Sequence, residues 1–171
     1  VLAKLGVIPQ QIPPGDIYSA LEKGAIDAVE FVGPTDDEQL GFQRVAKYYY
    51  YPACWEGTGM GAVILGNQAW QPVPAAYRAI VEAAANEMSI VSLARYDASN
   101  ATALKRLLGE GVQLRPFPRA VMDAGYETSW QLYGEIAEKN PLFAKTLNDY
   151  AAFRSDAITW FRVAENSYDQ F

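Results

Sequence analysis

The stretch Asp16–Pro34, DIYSALEKGAIDAVEFVGP, decides how the chain is to be read. Its first half alternates apolar and polar residues at helical spacing. Pro13-Pro14-Gly15 turns into it, Asp16 is the expected N-cap, and Gly24 is the expected left-handed residue after the last turn. Its second half, Ala25–Val32, alternates with period two and reads as a strand ended by Gly33-Pro34. Ile26, Ala28, Glu30 and Val32 then share one largely apolar face. A helix followed by a strand is the signature of an α/β fold, and Glu30 is the residue in it that needs a reason.

Outward from this stretch the alternation continues. DDEQLGFQRVAK, starting at Asp36, reads as a short helix, Tyr48–Tyr51 as a strand of β-prone aromatics, and Ala62–Leu65 as a short buried strand. A long helix is expected from Tyr77 to about Leu107, with Ile80, Val81, Ala84, Met88 and Val91 on its apolar face. GVQLRPF, residues 111–117, is another strand. A helix follows Pro118, stops or kinks at Lys139-Asn140-Pro141, and gives way to a second long helix from Leu142 to the C-terminus. Phe143, Leu147, Tyr150, Ala157, Ile158 and Phe161 form its stripe, which Phe153, Trp160 and Tyr168 widen. That stripe suits either the chain's own core or a partner subunit.

Composition removes several classes of function. The 171 residues are half apolar, carry a net charge of −6 and contain one cysteine and no histidine. An acidic chain without a Lys/Arg cluster is not expected to bind nucleic acid. Without histidine there is no Ser-His-Asp or Cys-His catalysis and no zinc site of the usual kind. Gly57-Thr-Gly59-Met-Gly61-Ala62 fits the loose dinucleotide pattern, but it runs into an expected strand, where that fingerprint must open a helix. The start Val1-Leu2-Ala3-Lys4-Leu5-Gly6 reads as the last turn of a helix closed by glycine, so the chain is expected to be truncated at its N-terminus.

Glu30 admits two explanations on these grounds. It caps a neighbouring helix or pairs with a base at the strand end, or it faces a cleft at the Gly33-Pro34 turn and binds a hard cation such as Na⁺ or Ca²⁺ together with a neighbour's carbonyl. Asp27 has the opposite parity on the strand, so a carboxylate pair for glycoside hydrolysis would have to join Glu30 to Glu56. Trp55, in a glycine-rich loop beside Glu56, is the type of ring that lines a site. The rivals to a binding protein are therefore a carboxylate-pair hydrolase and a purely structural dimer-forming module.

The order GDIYSALEKGAIDAVEFVGPTDDEQLGF, VAKYYYYPACWEGTGMG and NQAWQPVPAAYRAIVEAAANE closely resembles the DctP-type solute-binding proteins of tripartite ATP-independent periplasmic (TRAP) transporters, in particular the branch that binds α-keto and 2-hydroxy acids. The resemblance runs over essentially all of the chain. It implies a bilobed receptor of the type II periplasmic-binding-protein architecture, of which residues 1–171 would be a C-terminal portion contributing to both lobes. It implies a periplasmic protein, with any signal peptide upstream, that delivers a small organic acid to a membrane permease and catalyses nothing. In that branch a cation bridges the ligand carboxylate to a Glu side chain and the carbonyl of the next aromatic residue, positions that match Glu30 and Phe31. Phe31 stands where Trp is usual, and Cys54 also replaces a common Trp. Phe31, Trp55 and Glu56 are carried over as ligand-pocket residues. The arginine that pairs with the ligand carboxylate would lie upstream of residue 1, and residues 142–171 match the helix through which such proteins form homodimers.

Overall fold

The computed structural model describes residues 1–53, 59 and 61–168. Its helices are α1 (Pro14–Glu22), α2 (Pro34–Gln39), α3 (Asn67–Trp70), α4 (Ala75–Gly109), α5 (Arg119–Ala137) and α6 (Pro141–Ala164). Two strands, β1 (Tyr48–Tyr51) and β2 (Gln113–Pro116), pair in parallel with Tyr48 opposite Gln113 and Tyr51 opposite Pro116. The chain divides into two units, residues 10–117 and residues 1–9 with 118–171.

The unit of residues 10–117 is built around α4, a helix of 35 residues. Near its C-terminal end Ala103 and Leu107 are buried, together with Ile17 of α1, Phe42 and Val112. Ala103, fully covered, lets α2 approach the helix closely. Because β1 and β2 are parallel, the chain between them must cross over, and the α3–α4 segment is that crossover. Left-handed Gly24 (φ 66°) follows α1 as anticipated, its amide donating to the carbonyl of Leu21.

Several expectations need correction. Asp16 lies in the first turn of α1 but does not cap it; Pro13 occupies the N-cap and Pro14 the first helical position, where a missing N–H costs nothing. Residues 36–47 do not form one helix. α2 ends at Gln39, Gly41 takes a left-handed conformation (φ 77°), and a short 3-10 turn spans Phe42–Arg44. Residues 25–32 and 62–65 are not strands. Alternation marks a chain that could pair, whereas a strand exists only where a neighbour supplies the hydrogen bonds, and among the described residues only β1 and β2 supply them to each other. Val63 and Ile64 are exposed rather than buried (65% and 90%).

The seat of α2 on α4 is polar. Gly33 is the N-cap of α2 and has no side chain to accept from the first-turn amides. Asn100 of α4 does this instead: its Oδ1 accepts from the Thr35 amide at 3.0 Å and lies 2.8 Å from the Thr35 hydroxyl, which also lies 3.0 Å from Ser99 Oγ. Arg106 adds a two-pronged pair, donating through Nε and Nη2 to the two carboxylate oxygens of Glu38 at 2.6 and 2.5 Å. That contact holds the Glu38 carboxyl below the usual range. On the other side, the buried Asp37 accepts a 2.5 Å hydrogen bond from the hydroxyl of Tyr49 on β1. Burial pushes the Asp37 carboxyl upward, while the Tyr49 bond and the amides of Val32 and Gly33 oppose the rise. The Tyr49 phenol is itself pushed well above its ordinary value, first by burial and then by Asp37, so it stays protonated.

In the other unit, the Leu2–Leu5 turn ends at left-handed Gly6 (φ 84°), and Lys4 donates to Glu135 of α5 at 2.6 Å. α5 and α6 meet along Tyr126, Trp130, Tyr133 and Phe143, whose successive ring centroids are 5.8–6.2 Å apart. The guanidinium of Arg154 lies 5.5 Å over Tyr126 and 5.8 Å over Trp130. Asn140 caps α6 by accepting from the Phe143 amide at 3.0 Å, which explains the clean break at Asn140-Pro141.

Two consequences can be measured. Asn100→Ala leaves the Thr35 amide without its partner and should lower the unfolding free energy by about 1–2 kcal/mol in urea titration; an unchanged midpoint would show that water replaces the cap. For Asp37 the folded carboxyl titrates above its unfolded value, so its contribution to stability is full at low pH and is lost as pH rises through the raised value. Asp37→Asn should therefore gain stability relative to the unsubstituted protein between pH 4 and pH 7, a trend read from paired denaturation curves.

Candidate functional site

Glu30 and Phe31 lie in the irregular segment that leaves Gly24 and enters α2 at Pro34. Three contacts fix the far end of that segment. The ring of Phe31 packs edge-on against the buried ring of Phe42, with centroids 5.9 Å apart. The Gly33 carbonyl accepts from the Asp37 amide at 2.9 Å as the first bond of α2. Gly33 also passes close to Asn100: a methyl group added there would sit 3.6–3.9 Å from that side chain, in ordinary contact.

Glu30 itself is exposed, and Val32, on the face expected to be apolar, is 59% exposed. The expected cost of burying the Glu30 carboxylate is therefore not what explains it. By type, the Glu30 carboxylate and the carbonyl of the neighbouring Phe31 are hard oxygen donors of the kind that suits an alkali or alkaline-earth cation. Two donors do not complete such a shell, and among the described residues no cluster of three or more acidic, histidine or cysteine side chains could hold a metal ion. Trp55 and Glu56, the other residues expected at the pocket, lie outside the described residues, as does Cys54. The pairing of Glu30 with Glu56 that hydrolysis would need therefore has no geometry to judge.

Sequence reading missed Asp37, Tyr49 and Asn100. The signal for Asn100 was a glycine at the N-cap of α2, which announces that the cap must come from elsewhere; the signal for Asp37 was an acidic residue with helical neighbours on both sides and no positive charge within a turn. A separate groove of about 290 Å³ is lined by Val63, Leu65, Trp70, Val81, Glu82 and Ala85. Its one charge is negative, so it offers nothing to fix an organic anion.

A model of the bacterial extracellular solute-binding protein family 7, DctP, matches residues 1–140. The chain is 41% identical over all 171 residues to a monocarboxylate 2-oxoacid-binding periplasmic protein of Nostoc sp. PCC 7120, of which it covers 47%. It superposes with a TM-score of 0.91 and 50% identity on a TRAP transporter solute-binding protein of Bordetella bronchiseptica, a mixed-occupancy dimer with copurified calcium and picolinate in its active site; the match covers 98% of this chain and 50% of that one. A TRAP periplasmic solute-binding protein of Colwellia psychrerythraea, with bound calcium and pyruvate, matches at TM-score 0.89 and 30% identity over 99% of this chain and 52% of its own. The chain thus spans about half the length of these relatives. Its largely helical build around a small parallel sheet is the fold of those TRAP receptors over the matched half, and the chain belongs to the DctP family of bacterial extracellular solute-binding proteins.

Proposed function

We propose that this chain is the substrate-binding component of a TRAP transporter, working in the periplasm, and that it captures a small 2-oxo or 2-hydroxy monocarboxylate with the help of a bound cation. The observation that carries the reading is the Glu30–Phe31 pair of oxygen donors, set on a scaffold that superposes at TM-score 0.91 on a receptor holding calcium and picolinate. Phe31 and, outside the described residues, Trp55 and Glu56 are the residues we assign to the ligand pocket. The unit of residues 10–117 and the unit of residues 1–9 with 118–171 are read as portions of the two lobes of such a receptor.

The mechanism is capture and release. A 2-oxoacid presents a carboxylate with an adjacent carbonyl oxygen, and Glu30 would repel that anion if nothing lay between them. A hard cation, when bound, would supply the missing positive charge. Glu30 and the Phe31 carbonyl would hold it on the protein side, and the phenyl ring of Phe31 gives the pocket an apolar wall without a donor of its own. Calcium in two relatives favours Ca²⁺ over Na⁺ as that cation. No proton or covalent bond moves. The ligand is then handed to a membrane permease by opening of the lobes.

The dimer of the Bordetella relative supports a homodimer here, and α6 is the element we assign to it. Leu142, Phe153, Trp160 and Val163 are 64–73% exposed along that helix, more apolar surface than a helix facing water carries.

Isothermal titration of pyruvate into the native full-length form of the protein tests the binding claim. Micromolar affinity is expected with Ca²⁺, with a loss of at least about tenfold on chelation or in Glu30→Ala. Equal binding with and without cation would sink the metal-bridged mechanism, and steady turnover of any glycoside would sink the receptor. For the dimer, Phe153→Glu with Trp160→Glu should sediment as a monomer while keeping its melting temperature; a dimer that survives both charges is held elsewhere.

A further inference from the structure

Phe31 is assigned two tasks, a backbone carbonyl for the cation and a ring for the pocket wall, and the fold shows what holds that ring. Its neighbours Glu30 and Val32 are exposed, whereas Phe31 is half-buried and meets Phe42 edge-on, with ring centroids 5.9 Å apart and ring planes at 81°. Phe42 is itself fixed. It is 6% exposed, it follows left-handed Gly41 (φ 77°), and its carbonyl accepts from the amides of Val45 at 3.0 Å and Ala46 at 2.8 Å. Space does not demand the glycine, since a methyl group on Gly41 would lie 3.6 Å from the Tyr18 ring, in ordinary contact. The positive φ demands it, and that φ sets the direction in which the chain enters the Phe42 turn. Downstream, Asn100 accepts from the Thr35 amide and passes close to Gly33, which ties down the backbone and leaves the Phe31 ring to Phe42.

We infer that Phe42 is a positioning residue that sets ligand size: by backing the Phe31 ring it fixes how far that wall can recede, and so which 2-oxoacids the pocket admits. The inference rests on the reading of Glu30 and Phe31 as the cation-binding pair, with the Phe31 ring as pocket wall. Every 2-oxoacid presents the same carboxylate and adjacent carbonyl oxygen, so the cation end does not tell one from another. They differ beyond the carbonyl, where pyruvate has a methyl group and others a longer or branched chain. An apolar wall reads that difference by volume. A lone ring on an irregular segment would yield to a larger ligand. A ring seated on a second, buried ring does not, because close-packed side chains leave it no void to move into. Edge-on is also a preferred arrangement for two phenyl rings, so tilting Phe31 away loses attraction as well as packing.

The test is a pair of affinities, for pyruvate and for 4-methyl-2-oxopentanoate, by isothermal titration of the native full-length form in excess CaCl₂, with melting temperatures recorded alongside. The unsubstituted protein should bind pyruvate more tightly. Phe42→Val should shift the ratio of the two affinities toward the longer acid by about fivefold or more. Phe31→Val should shift it the same way, and the double variant should differ little from Phe31→Val alone, because Phe42 acts through that ring. A merely structural role for Phe42 would lower the melting temperature and leave the ratio of the folded protein unmoved. If Phe42→Val does not fold, Phe42→Leu, which removes less volume, decides with an expected shift of about twofold or more. An unmoved ratio in the folded Phe42 variants, or tighter binding of the longer acid by the unsubstituted protein, would overturn the role of Phe42 and leave the receptor standing. Absence of any 2-oxoacid binding by the unsubstituted protein would overturn both.

Discussion

A six-residue helix with no side chain at its own N-cap has to be held by its surroundings, and the candidate site depends on how α2 is held. Asn100 caps the helix by accepting from Thr35, Arg106 clamps Glu38, and Tyr49 donates to Asp37. These contacts come from α4 on one side and β1 on the other, so the short helix is a wedge between the two. The segment carrying Glu30 and Phe31 enters that wedge directly. Its backbone has no ladder of its own, and its order is borrowed from the helix it feeds.

That dependence explains why the site was only partly legible in the sequence. The helices α1, α4, α5 and α6 were visible because each carries its own period of apolar residues and its own stop signal, such as Gly24 or Asn140-Pro141. Tyr48–Tyr51 and residues 113–116 were visible as strands through their composition, and they proved to be each other's partners. Residues 25–32 alternate just as well, yet they pair with nothing described. Periodicity reports a local preference; pairing is a tertiary fact. The same limit hid Asn100, which lies 65 residues from Thr35 in the chain, and Asp37, whose meaning depends on a tyrosine twelve positions away on another element.

For Glu30 the outcome is instructive in a different way. The position was singled out because a carboxylate on an apolar strand face should be costly, but the residue is exposed and there is no strand. What survives is the chemistry of the pair: a carboxylate followed by a carbonyl on a segment whose backbone is pinned. The buried carboxylate that does bear a desolvation cost is Asp37, seven positions later, and it is held by the Tyr49 hydroxyl. Two solved relatives of the chain hold calcium together with picolinate or pyruvate.

The central claim is that one cation joins Glu30, the Phe31 carbonyl and the ligand carboxylate. A crystal structure of the native full-length form grown with pyruvate and CaCl₂, with anomalous scattering collected to locate the metal, addresses it most directly. The account predicts a calcium peak at roughly 2.3–2.6 Å from a Glu30 carboxylate oxygen, from the Phe31 carbonyl and from the pyruvate carboxylate. Pyruvate bound with no metal within reach of Glu30, or a metal held by other residues, would contradict it.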